Sequence, residues 1–137
     1  MSSVESMPLL LAVGNHLQGL SRHFELADRG ARLVGTAWTE PSYRLLARGT
    51  ETPLKPGLVE VARDGGTSIE GELYTLPGGA LEELATLVRA PIQLGQVRLR
   101  DGRVVHGYLC DAAAIADARD VSHLGGWRAF LNDSAAE

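Results

Sequence analysis

Residues 9–13, Leu9-Leu10-Leu11-Ala12-Val13, are apolar without alternation, and the run stops abruptly at Gly14-Asn15. Such a run suits a strand buried on both faces, so a strand ends inside the core and the rest of the chain is organised around it. A glycine at that exit permits a sharp turn or a close ligand approach, because it has no Cβ. The N–H groups of Asn15, His16 and Leu17 can then converge on one spot, a nest suited to a carboxylate or another small anion.

A chain of 137 residues predicts one domain, 1–137, with residues 1–7 and 132–137 frayed. A net charge of −4 argues against a general nucleic-acid surface. The single cysteine, Cys110, excludes an internal disulfide and reads as a small buried hydrophobe. No segment reads as a signal peptide or a membrane span, which places the protein in the cytoplasm as an expectation. No His/Asp/Glu spacing matches a metal motif, and neither a metal nor a cofactor is expected.

In chain order, a short helix is predicted over 19–28, with Ser21 as N-cap and Gly30 past its end. Strands follow at 31–38, centred on Leu33 and Val34, and at 43–47, returning as a hairpin. Residues 48–56 read as a loop ending in Lys55-Pro56-Gly57. Asp64-Gly65-Gly66 predicts a hairpin turn between 58–61 and 67–76. On the latter strand Glu70, Glu72 and Tyr74 share one side, either a solvated face or the lining of a barrel pocket. A helix is expected over 80–88, with Leu81, Leu84, Leu87 and Val88 as its core stripe. Strands 96–100 and 104–109 pair across Asp101-Gly102, an alanine-rich helix covers 111–118, and Gly125-Gly126 precedes a helix carrying Trp127, Phe130 and Leu131. Two to three helices and six or seven strands make an α+β fold. Local pattern alone leaves open sheet and small barrel as alternatives.

His16, beside the proposed nest, is the leading candidate for proton transfer, against the plainer reading of a loop cap. Tyr43 and Lys55 are candidates for gripping a small carboxylate, the plainer readings being a strand tyrosine and an exposed loop lysine. Glu70 and Glu72 are candidate acids, against the plainer reading of a solvated strand face, with Glu72 assigned to the site. Gly14, Asn15, Leu17 and Gly57 are candidates for the backbone of the site. His23, His106 and His123 carry less weight.

Val13-Gly14-Asn15-His16-Leu17-Gln18-Gly19 resembles the strand-then-glycine-loop signature of the γ-glutamylcyclotransferase-like fold. Together with Arg29-Gly30-Ala31-Arg32-Leu33-Val34, Tyr43-Arg44-Leu45, Lys55-Pro56-Gly57-Leu58-Val59 and Gly125-Gly126-Trp127-Arg128-Ala129-Phe130-Leu131, it looks like the C-terminal domain of allophanate hydrolase. The resemblance runs from about Leu9 to Leu131 and implies a mixed β-barrel with helices packed around it. It departs from the cyclotransferases where it matters chemically. Val13 replaces the usual tyrosine, and the expected catalytic glutamate falls at Val88, followed by Arg89 instead of glycine. Glu82 and Glu83 lie about a turn and a half too early to substitute, so cyclotransferase activity is not expected. Nor is amide hydrolysis, since the Ser-Ser-Lys segment of the full enzyme's amidase domain is missing from these residues. What the resemblance implies is binding of a small carboxylate and decarboxylation of N-carboxycarbamate to carbamate or ammonia and carbon dioxide. That role belongs to urea and nitrogen catabolism, alongside an amidase partner. The alternative is a non-catalytic module that forms a homodimer or docks onto an amidase.

Overall fold

The computed structural model describes residues 7–49, 54–112 and 118–135. Among the described residues, eight strands, β1 (Leu9–Ala12), β2 (Arg32–Trp38), β3 (Tyr43–Arg48), β4 (Lys55–Glu60), β5 (Glu70–Thr75), β6 (Ile92–Arg98), β7 (Val104–Cys110) and β8 (Arg119–Asp120), are joined by helices α1 (His23–Ala27), α2 (Ala80–Leu87) and α3 (Trp127–Ala135). They form a five-stranded sheet in the order β2-β5-β1-β7-β6 and a three-stranded sheet in the order β4-β3-β8.

β1 lies at the centre of the larger sheet, antiparallel to β5 and parallel to β7. Its position explains its composition. Leu10, Leu11 and Ala12 are fully buried because both faces and both edges are covered. The two edge strands of this sheet meet at one end, where the Glu40 N–H donates to the Arg98 carbonyl (3.0 Å) and the Arg100 N–H to the Trp38 carbonyl (2.9 Å). The sheet therefore closes on itself there, a seam of the kind that makes a barrel. Arg98 reinforces it from its side chain, donating to Glu40 (2.6 Å) and Glu60 (2.6 Å).

Two expected hairpins do not form. β3 does not return onto β2, because residues 39–42 are drawn into the seam: the Thr39 N–H donates to Ile69 and that of Glu40 to Arg98. β3 pairs instead with β4, from Tyr43↔Glu60 to Arg48↔Lys55. Nor does Asp64-Gly65-Gly66 make a hairpin. Residues Arg63–Gly65 form one turn of 3₁₀ helix that carries the chain from the small sheet to the large one. A Cβ on Gly66 would stand 2.7 Å from the Tyr43 nitrogen, so this glycine serves a close backbone approach.

Other elements shift their bounds. The expected loop 48–56 is partly strand, with Pro56 inside β4; as an edge strand β4 tolerates a residue with no N–H. Residues 50–53 lie outside the described residues, as does most of the expected helix over 111–118. Ser21 caps nothing: α1 starts at His23 with no side-chain cap, because Gly19 (φ +86°) and successive turns occupy residues 15–22. Leu33 and Val34, expected at the centre of a strand, are half exposed on edge strand β2 beside a bulge. In α2, Leu84 is buried but Leu87 is 39% exposed. The pairing of β6 with β7, the burial of Cys110, and Trp127 and Phe130 in the core agree with the sequence reading.

Candidate functional site

The segment leaving β1 wraps into tight turns. The Leu17 N–H donates to the Gly14 carbonyl (3.0 Å) and the Arg22 N–H to that of Asn15 (2.9 Å). Asn15 is tied to the far end of the chain, its Oδ1 accepting the Trp127 indole N–H at 3.1 Å. Gly14 does not adopt a positive φ; a Cβ there would lie 2.6 Å from Pro56 Cγ. Lys55-Pro56-Gly57 thus reaches the loop through the proline ring. Lys55 itself is exposed, and Gly57 is packed under Arg48 and Cys110.

The loop has two chemically distinct flanks. On one, His16 Nε2 lies 2.7 Å from Glu25 Oε1, while Arg22 donates to Glu25 Oε2 at 2.9 Å. The His16 ring stacks on Tyr108, with centroids 4.3 Å apart and planes 3° from parallel. A carboxylate only accepts, so Nε2 carries the hydrogen and Nδ1 is the position left to take a proton. Burial holds the imidazole below its ordinary pKa against the opposing pull of Glu25. The Tyr108 hydroxyl is pushed upward, by burial first and by the Glu25 charge second.

On the other flank, Glu72 Oε1 accepts from the Gln18 N–H (2.7 Å) and the Tyr74 hydroxyl (2.9 Å), and Oε2 from Arg128 (3.2 Å). Arg128 also donates to the Gln18 carbonyl. Beside this cluster opens a cavity of about 40 Å³, lined by Leu17, Thr36, Glu70, Glu72, Trp127 and Arg128 together with Gly71 and Gly126. It has room for a few waters. Burial and the Glu72 bond raise the Tyr74 pKa, so this hydroxyl stays protonated and donates. His23 links the flanks: its Nδ1 lies 3.0 Å from the His16 carbonyl and its ring leans on Tyr74.

The structure therefore brings Gly14, Asn15, His16, Leu17 and Glu72 together. It differs from the expected nest in one respect, for the backbone donor that meets a carboxylate is Gln18, whereas the Leu17 N–H is used within the turn. The His16 ring faces Glu25 and Tyr108 and does not line the cavity. Tyr43 lies at the barrel seam, fully buried, its hydroxyl accepting the Arg98 N–H at 2.9 Å. Among the described residues no group of His, Cys, Asp and Glu side chains is arranged to hold a metal ion, and no helix is long and apolar enough to cross a membrane.

The profile of the family described as "Allophanate hydrolase C-terminal domain" matches residues 8–132. The chain belongs to that family. Within it, the urea amidolyase of Saccharomyces cerevisiae is 32% identical over 125 residues, covering 89% of this chain and 7% of the yeast protein. A solved allophanate hydrolase of Kluyveromyces lactis shares 29% identity at a TM-score of 0.84, covering 92% of this chain and 21% of that one. The uropathogenic E. coli-specific protein c4763 shares 27% identity at a TM-score of 0.83, and there the match covers 93% of this chain and 97% of that one. A chain named gamma-glutamyl cyclotransferase shares the fold alone, with 14% identity and a TM-score of 0.56 over 84% of this chain and 72% of that one. The fold is thus the γ-glutamylcyclotransferase-like one.

For a member of the allophanate hydrolase C-terminal family, several residues at this loop carry no local signal in the sequence. Glu25 is one more acid on a short helix, and Tyr108 a strand aromatic. Arg128 was part of the matching C-terminal motif, but nothing near it in sequence points to Glu72. Val88 is the extended residue that ends α2. Of the nearby acids, Glu83 pairs with Arg29 (3.1 Å).

Proposed function

We propose that this domain binds a small carboxylate at the loop of residues 14–18 and decarboxylates N-carboxycarbamate, in partnership with an amidase of urea or nitrogen catabolism. One observation carries the reading: a backbone N–H, a phenol and a guanidinium are already arranged about a single carboxylate at the wall of a polar cavity. Family membership and the names of the relatives supply the rest. The chain spans only 7% of the yeast urea amidolyase, so the activity of that whole protein enters here as a proposal.

The step asks for little from the protein. The substrate, a nitrogen bearing two carboxylates, takes a proton on nitrogen. One C–N bond then breaks, its electron pair stays on nitrogen, and carbon dioxide leaves with carbamate as the other product. Fixed donors stabilise the negative charge that remains. In this proposal His16 relays the proton through Nδ1, held in orientation by Glu25. Gly14, Asn15, Leu17 and Glu72 shape the site, Lys55 and Gly57 approach it through Pro56, and Tyr43 supports the wall from the seam.

Malonate is a stable mimic of the dianion, and calorimetry on the wild type and His16→Ala tests the proposal. Malonate binding by the wild type is expected, and His16→Ala should leave affinity largely unchanged while slowing proton transfer, because the His16 ring does not line the cavity. Release of carbon dioxide from N-carboxycarbamate generated by an amidase should therefore fall in that variant. Absence of malonate binding in both proteins overturns the reading. The second reading, a docking or dimerisation module, rests on the half-exposed Leu33 and Val34 of edge strand β2. In that case co-purification with an amidase, or a concentration-dependent dimer, takes the place of ligand binding.

A further inference from the structure

The cavity holds an electrostatic mismatch for the ligand just proposed. Glu70 and Glu72 both line it, and Arg128 is the one cation among its lining residues. A dianion entering with Glu72 in place would put added negative charge beside two carboxylates and share a single guanidinium. The same Glu72 carboxylate holds the donors that a ligand carboxylate needs: the Gln18 N–H, the Tyr74 hydroxyl and Arg128, contributed by the β1 exit loop, β5 and α3. A planar carboxylate met by a guanidinium and a backbone N–H is a recognition arrangement for any carboxylate, internal or external.

We infer that Arg128 and the Gln18 N–H anchor the ligand carboxylate, and that Glu72 is a built-in competitor for them. The ligand class is a small mono- or dicarboxylate, and the inference rests on the small-carboxylate reading above. When ligand arrives, its carboxylate takes the donors and the Glu72 side chain moves aside. The surroundings permit the exchange. Arg128 is 44% exposed, so its outer face is open to an incoming anion. The Glu72 side chain is 15% exposed and borders the cavity, so the space it leaves would merge with the existing 40 Å³. Glu72 then sets selectivity, since an anion must outcompete a carboxylate already in place.

The test is malonate and acetate titration by calorimetry on the wild type, Glu72→Gln, Arg128→Gln, Arg128→Lys and the double variant Glu72→Gln/Arg128→Gln, with thermal unfolding to confirm folding. Glu72→Gln keeps the shape and removes the competing charge, so malonate should bind at least tenfold more tightly. Arg128→Gln should abolish measurable binding in both backgrounds. Arg128→Lys, the informative variant if Arg128→Gln does not fold, should weaken binding because an ammonium cannot offer the planar fork. If the wild type binds and Glu72→Gln binds equally or more weakly, the competitor role is wrong while the carboxylate reading stands. Tight binding that persists in the double variant removes Arg128 as the anchor. If no variant binds either acid, both proposals fall together.

Discussion

Pro56 Cγ lies 2.6 Å from the place where a β-carbon on Gly14 would stand. The first glycine after β1 is thus demanded by packing between two distant segments, and its φ is one that any residue can adopt. Gly14→Ala should destabilise the protein by about 1–3 kcal/mol, as overpacking against a stiff ring does. Urea unfolding at constant m-value checks this, and an unchanged midpoint would show that the proline moves freely.

His16 gives a pH dependence whose sign follows from its burial. Its pKa is lower folded than unfolded, so the unfolded chain takes up the proton first as pH falls. The contribution is fully present above the unfolded value of about 6.5 and is lost as pH drops through it toward the folded one. Between pH 7.5 and 5 the wild type should therefore lose more stability than His16→Phe. Parallel curves for the two proteins would refute this.

Tyr43 separates a seam role from a ligand role. Its hydroxyl accepts the Arg98 N–H inside the barrel closure, and burial raises its pKa against the lowering effect of that bond. Tyr43→Phe should lower stability by about 1 kcal/mol, the net worth of one such bond, with malonate affinity unchanged. The reverse outcome, full stability with weakened binding, would return Tyr43 to direct ligand contact.

Ser122 fastens β8 to the barrel wall. Its buried hydroxyl accepts the Leu45 N–H at 2.8 Å, and its own N–H donates to Asp120. Ser122→Ala leaves the Leu45 N–H without that partner, at a cost of about 1–3 kcal/mol. Hydrogen exchange should quicken first at Leu45 and Val121, and uniform protection would contradict the assignment.

What could be read in advance divides by the range of the interaction. The β1 run, the turn at Asp101-Gly102 and the amphipathic start of α3 are written in neighbouring residues, and each forms where expected. Strand pairing is not local, and neither β2 with β3 nor β4 with β5 forms a hairpin. Thr39 and Glu40 donate instead to Ile69 and Arg98, and Arg63–Gly65 bridges two sheets. The site divides in the same way. His16 and Glu72 were visible as unusual residues at legible elements. Arg128 and Glu25 become meaningful only when folding sets them against Glu72 and His16.

The placement of β1 also dictates an order of assembly. During synthesis it is made before β2 to β8, yet Leu9 pairs with Thr75 and Leu10 with His106. Its apolar side chains must wait, uncovered, until β5 and β7 have left the ribosome. A domain of this topology matures late in its own translation, and its earliest strand is the segment a chaperone has most reason to hold.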